Sequence, residues 1–106
     1  MYLDIERQIE TTTISPVAKV LYAAADLIER DGWCQCARHH DGRRCALGAI
    51  YRYPFPAKRV GMHLAVLALE AVVGDVVDWN DHPERTAAEV ITKLREVATD
   101  CQRRGE

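Results

Sequence analysis

Apolar side chains return every three or four residues along two long stretches of the chain. In the first, Val17, Val20, Leu21, Ala24, Leu27 and Ile28 share one helical face, with Lys19, Asp26, Glu29 and Arg30 off it. Ser15 supplies an N-cap, Pro16 a preorganised first helical residue and Gly32 a stop. In the last stretch, Ala87, Val90, Ile91, Leu94, Val97, Ala98 and Cys101 form the stripe, opposite Glu89, Lys93, Glu96 and Asp100. Thr86 and Glu89, in T-A-A-E, form a capping box at its start, and fraying is expected after Cys101.

The middle of the chain is less periodic. A further helix is expected from about Ala57 to Val73, closing at Gly74; its second half, LAVLALEAVV, is apolar nearly all round, the mark of a core helix enclosed by others. Before it, Cys45 to Tyr53 reads as a short helix in which Gly48 permits a close neighbour, stopped by Pro54 and Pro56. Asp41-Gly42 carries the strongest turn signal and predicts a hairpin-like loop. Asp75 to Arg85 reads as a loop whose Val76, Val77 and Trp79 seal the end of the core. Residues 1–14, with Tyr2, Leu3, Ile5, Ile9 and Ile14 loosely alternating and Thr11 to Thr13 favouring extended backbone, read as a short strand or a loosely attached arm. The pattern therefore predicts a mainly α fold: one compact domain of three to four helices over residues 15–106, behind an arm at 1–14.

Composition agrees with a globular domain. The 106 residues are 48% apolar and 28% charged, which indicates neither disorder nor a fibrous repeat. The longest apolar run, Leu64 to Val73, is too short to cross a bilayer, so no membrane association is expected. The start MYLDIERQIE lacks the features of a secretory signal, which predicts a cytoplasmic location with reduced cysteines. The net charge of −2 conceals a segregation. From Arg38 to Arg59 six basic residues face Asp41 alone, whereas Glu70 to Glu84 holds five acidic residues and no basic one. Either the two runs face each other or are solvated separately, or the basic run serves an acidic partner. A homodimer that pairs them across copies is a further expectation.

G-W-C-Q at 32–35, D-G-R at 41–43, C-A-L-G-A at 45–49, W-N-D at 79–81 and R-T-A-A-E-V at 85–90 stand in an order that resembles a family of small actinobacterial and actinophage proteins of unassigned function. The order is also distantly similar to short phage proteins with a C-L-G motif and a later N-D turn. The resemblance spans roughly residues 16–100 and implies an accessory role in a phage, prophage or actinobacterium, with no chemistry attached. It also implies that cysteine is uncommon at the position of Cys36, which weakens any site needing that thiol.

Four chemistries can be read in the organising stretch from Trp33 to Ile50 and its surroundings. Arg38, Arg43, Arg44, Arg52, Lys58 and Arg59 interleave with Tyr51, Tyr53 and Phe55. Arginine and aromatic side chains supply much of the anchoring energy at protein interfaces, so a protein partner is the first expectation. The same mixture suits phosphates and bases, making nucleic acid the second, though no nucleic-acid-binding motif accompanies it and the pI is near 6.1. Cys34, Cys36, His40 and Cys45 form a set with zinc-ligand chemistry, C-x-C-x₃-H-x₄-C. A single residue between the first two cysteines sends their thiols to opposite sides of an extended chain, so reduced cysteines beside solvated histidines, with no cofactor, is the plainer expectation. Last, Cys45 at a helix start beside Arg43 and Arg44 has the setting of an activated thiol. A hydrolase would also need His82 or His63 as base and Asn80 or Asp81 to orient it. The plain alternative is a cysteine packed into the core. Trp79, Asn80 and Asp81 read chiefly as a structured helix approach, in which Asn80 and Asp81 bond their own downstream amides. Binding, with no reaction, is the function this sequence predicts.

Overall fold

The computed structural model of the chain describes residues 15–52 and 59–105, with backbone alone for Arg59 and Val60. The expected strand or arm at 1–14, and Tyr53, Phe55 and Lys58, lie outside the described residues. The order of elements is α1 (Pro16–Asp31), β1 (His39–His40), β2 (Arg43–Arg44), α2 (Ala46–Ile50), α3 (Arg59–Val73), α4 (Val76–Asn80) and α5 (Ala87–Arg104). The mainly α class follows directly.

Helix α1 begins as its sequence dictates. Ser15 Oγ accepts from the Ala18 amide at 2.9 Å, and Gly32 takes φ 105° just past the end, its N–H donating to Ile28 O. Its buried face, Val17, Ala18, Val20, Leu21, Ala24, Ala25 and Ile28, packs most extensively on α5. The two helices run antiparallel: the Ser15 amide donates to Gln102 Oε1, Tyr22 OH pairs with Thr99 Oγ1 at 2.8 Å, and Arg95 reaches both Asp26 and Glu29 at 3.0 Å. Helix α5 buries Val90, Leu94, Val97, Ala98 and Cys101, and both halves of its capping box form. It runs three residues past Cys101, where fraying is expected from the sequence, and closes on Gly105 at φ 75°.

Two expectations need correction. The central helix is α1 rather than α3: α2, α3 and α5 all pack on α1. Helix α3 buries Met62, Ala65, Val66 and Leu69 but leaves Leu64, Leu67 and Val72 at 44%, 45% and 55% exposure. Its neighbours among the described elements cover one side only. Second, the span 75–85 contains a helix, α4: the Asp75 carboxylate accepts from the Asp78 amide at 2.9 Å and caps it. Val76 and Asn80 point inward while Val77 stays exposed. The short helix expected over Cys45 to Tyr53 is confined to Ala46–Ile50, with Tyr51 as its C-cap.

Asp41 and Gly42 form the turn of a two-stranded antiparallel hairpin, with His40 opposite Arg43 and His39 opposite Arg44. Both turn residues have positive φ, 51° and 81°, which the right-handed twist of a two-residue hairpin requires and Asp-Gly readily adopts. The hairpin is tied to the chain leaving α1: the Cys34 amide donates to Arg44 O and the Arg44 amide to Gly32 O, each at 3.1 Å. Among the described residues, no helix is long and apolar enough to cross a membrane.

Candidate functional site

The motifs from Trp33 to Ile50 and at Trp79 to Asp81 meet at one buried side chain. Asn80 is 1% exposed. Its Oδ1 accepts from Trp33 Nε1 at 2.7 Å and from the Ala46 amide at 3.0 Å, and its Nδ2 donates to Cys34 O at 3.2 Å and Asp81 Oδ1 at 3.0 Å. Around it, Asp81 Oδ1 accepts from the Cys36 amide at 2.9 Å, and Gln35 Nε2 donates to Asn80 O and His82 O. One carboxamide therefore joins the chain after α1, the start of α2 and the end of α4, with both its donors and its acceptor occupied. The sequence predicts a structural duty for Asn80 with local partners; of the partners observed, Asp81 is adjacent, and Trp33, Cys34 and Ala46 lie 34 to 47 residues away. A burial-compatible Asn beside a Trp was the available signal, and nothing in the local pattern named the residues it would join.

Tight backbone approach completes the clasp. A Cβ on Gly48 would stand 2.1 Å from Arg38 O, so α2 can lie against the 36–38 turn only because residue 48 has no side chain. The Cys45 amide donates to that same carbonyl.

The cysteines are separated by this arrangement. Cys34 and Cys45 are buried and Cys36 is exposed at φ 65°. Cys34 Sγ donates to Ala37 O at 3.3 Å, and burial, followed by the neighbouring Cys45, pushes its thiol above the ordinary value. Cys45 is the N-cap of α2, its sulfur accepting from the Gly48 amide at 3.3 Å. His40 is exposed beside Asp41, at 3.3 Å. Among the described residues, no three His, Cys, Asp or Glu side chains converge as metal ligands, so Cys34, Cys36, His40 and Cys45 are not assembled around one point. The groups considered for thiol chemistry are also occupied elsewhere. His82 Nδ1 accepts from the Glu84 amide, Asn80 is spent on the clasp, and His63 is exposed on α3. Cys45 does border a cleft of about 250 Å³ with Cys36, Arg38, Val77 and Asp81, but no histidine lines it.

Of the basic residues, Arg43 and Arg44 form β2 and Arg52 follows α2. Arg43 and Arg52 are exposed and Arg44 half-buried; the stem of Arg43 crosses Gly32, where a Cβ would meet its Cγ at 2.7 Å. Tyr51 is 42% exposed, with the Arg38 guanidinium 5.7 Å from its ring centroid. Among the described residues, none of Arg38, Arg43, Arg44 and Arg52 forms an ion pair, whereas Arg30, Arg85 and Arg95 all do. No ion pair joins the acidic run from Glu70 to Glu84 to these four. Arg59 is the first residue of α3, and Tyr53 and Lys58 fall outside the described residues.

Arg44, Arg52 and His39 line a cleft of about 540 Å³ between α1 and the hairpin, floored by Ala23, Leu27 and Ala49. Asp26, Arg30 and Asp31 form its α1 wall. Arg30 grips Asp31 through two bonds of 2.9 Å. This contact, with the more distant charges of Arg44 and Arg52, holds the Asp31 carboxyl below its ordinary range. The contribution of α1 to this cleft was not legible in the sequence, because Ala23 and Leu27 read there only as helix positions.

A family model described as a family of unknown function (DUF6197) matches residues 12–100. No curated protein and no solved structure matches the chain.

Proposed function

The chain belongs to the family of unknown function DUF6197, and from its geometry we propose a binding protein that carries out no reaction and receives an acidic segment of a partner protein in the cleft between α1 and the hairpin. The observation that carries this reading is the pair Arg44 and Arg52, half-buried and exposed, which line the cleft and hold no ion pair among the described residues, with the exposed Arg43 next to Arg44 on the same short strand. Unneutralised guanidinium groups beside an apolar floor suit a carboxylate-bearing chain that also offers an aliphatic or aromatic side chain. Tyr51, with the Arg38 guanidinium over its ring, is a further exposed arginine–aromatic pair. Asp26 and Asp31 on the opposite wall favour a protein over nucleic acid, because a continuous phosphate backbone would be repelled there while a single acidic side chain can avoid them. In this reading the protein is an accessory factor of an actinobacterium or its phages, working in the cytoplasm.

The test is recovery of partners by the full chain and by an Arg43→Glu, Arg44→Glu, Arg52→Glu variant, each with and without nuclease. Loss of the recovered protein with the variant, unchanged by nuclease, is expected, together with weakening as salt is raised. Equal recovery by both chains removes this face from consideration. Recovery abolished by nuclease transfers the site to nucleic acid.

A further inference from the structure

Cys34 and Cys45 each follow a residue of one paired rung. Trp33 and Arg44 form a parallel bridge, closed by the Arg44 amide on Gly32 O and the Cys34 amide on Arg44 O. The next bond of a parallel ladder would run from the Ala46 amide to Cys34 O. The Asn80 carboxamide stands in its place, Oδ1 accepting from the Ala46 amide and Nδ2 donating to Cys34 O. The two cysteines therefore lie opposite each other, on the same side, where the ladder is widened by an inserted amide group. Bridged strands stand about 4.8 Å apart, and a disulfide takes Cα atoms about 4.4–6.8 Å apart, most often about 5.5–6 Å. The widening moves this pair toward the separation a disulfide prefers.

Independent contacts bring the same two residues together. Both are buried, and both are tied to one turn: Cys34 Sγ donates to Ala37 O, and the Cys45 amide donates to the next carbonyl, Arg38 O. After burial, Cys45 is the strongest influence holding the Cys34 thiol above its ordinary value, as two neighbouring sulfurs require. Little holds either sulfur in its reduced place. Each has one weak contact of 3.3 Å, to Ala37 O and from the Gly48 amide. Cys45 also lines the cleft of about 250 Å³, which is room enough for a molecule as small as a peroxide. Paired thiols of this kind that oxidise transiently serve as redox sensors.

We propose that Cys34 and Cys45 form a peroxide-sensitive dithiol, whose oxidation latches the chain leaving α1 to the start of α2 and so fixes the hairpin between them. The Cys45 thiol gives up its proton and its sulfur attacks one oxygen of hydrogen peroxide; the O–O bond breaks, water leaves, and Cys45 carries a sulfenic acid. The Cys34 sulfur then attacks the Cys45 sulfur, the S–O bond breaks, and the hydroxyl departs with the Cys34 proton as a second water. Two S–H bonds are replaced by one S–S bond, and the peroxide takes the two electrons. The dithiol does not rest on the basic cleft, and either can fail without the other.

Peroxide treatment of the full reduced chain near neutral pH, quenched with iodoacetamide and followed by peptide mass spectrometry, tests it. A Cys34–Cys45 cross-link lighter by two hydrogens is expected in at least half of the chains, within monomers, and undone by dithiothreitol. It should persist in Cys36→Ser and vanish in Cys45→Ser, which keeps a side-chain cap for α2. Nearness in sequence alone is controlled by unfolding: in urea the same treatment is expected to spread disulfides among Cys34, Cys36 and Cys45. An equal spread from the folded chain, cross-links chiefly to Cys36 or Cys101, disulfide-linked dimers, or oxidation that gives no cross-link each overturns the proposal. The latch itself is read by hydrogen exchange. The bridge amides of Cys34 and Arg44 are expected to exchange at least tenfold more slowly after oxidation and to recover on reduction; unchanged exchange in the cross-linked chain also overturns it.

Discussion

Asn80 shows what a single carboxamide does when every polar atom is used. Replacing it with alanine removes the acceptor for Trp33 Nε1 and for the Ala46 amide, and leaves both donors with nothing to bond. A buried group stranded in this way costs about 1–3 kcal/mol, and two are stranded here. Asn80→Ala is therefore expected to lower unfolding free energy by about 2–4 kcal/mol in urea titration, with Trp33 fluorescence reporting the loss of its hydrogen bond. The cysteines give a second residue-scale prediction. Cys36 alone is exposed, so the native protein should react with one equivalent of iodoacetamide quickly and with the remaining three only after unfolding. The Cys34 thiol is held above its ordinary value of 9.0 mainly by burial, so the folded state retains a proton that the unfolded state releases first. Its contribution to stability is complete below that value and declines as pH rises past it. An unfolding series from pH 7 to pH 10 should show stability falling in the alkaline limb, less so for Cys34→Ala measured against its own pH 7 value. The sequence made the W-N-D and G-W-C-Q motifs visible, but the bonds between them span more than 30 residues, and no local spacing encodes such a pairing.

Elements were legible in proportion to their length and caps. Helices α1 and α5 repeat their apolar positions over four turns or more and carry side-chain caps, so their starts are fixed by Ser15 and by the Thr86–Glu89 box. Helix α4 has five residues, too few to establish a period, so the span reads as loop although Asp75 caps a helix there. For α3 the period predicts a helix, yet an all-round apolar sequence does not say which side is covered, and with Leu64 and Leu67 exposed the central position falls to α1. The hairpin and α2 depend on each other through one contact that the sequence did suggest. Gly48 was read as a position of close approach, and the neighbour is the Arg38 carbonyl. Gly48→Ala forces either α2 or the 36–38 turn to move, because the obstruction is backbone and cannot rotate away. A loss of about 1–3 kcal/mol is expected, measured by thermal unfolding. Gly74→Ala, at φ 81° with open space around the new methyl, separates backbone strain from collision and should cost about 1 kcal/mol.

At the scale of the molecule, no ion pair among the described residues joins the acidic run to the hairpin arginines. The basic hairpin faces α1, and the acidic residues after α3 engage caps and the clasp: Asp75 holds the α4 amide of Asp78, and Asp81 holds the amide of Cys36. Composition revealed the segregation, while only the packing of α1 against the hairpin shows that Asp26 and Asp31, outside the acidic run, are the carboxylates facing the arginines. This arrangement predicts that the charge-reversed hairpin folds. Arg43, Arg44 and Arg52 hold no ion pair among the described residues, and surface substitutions of that kind usually change stability by about 0.5 kcal/mol or less each. The triple Glu variant should thus unfold within about 1.5 kcal/mol of the parent chain near neutral pH. It should also carry a trace at Asp31, whose carboxyl is held down first by Arg30 and then by Arg44 and Arg52. A lowered folded-state value contributes stability above the ordinary carboxyl value of 3.8 that is lost as pH falls below it. Reversing two of the three supporting charges moves the Asp31 titration upward, visible by carboxyl-carbon NMR, and weakens this part of the acid dependence. If the variant instead fails to fold, those arginines are scaffolding, and the loss of partner binding could no longer be assigned to the cleft.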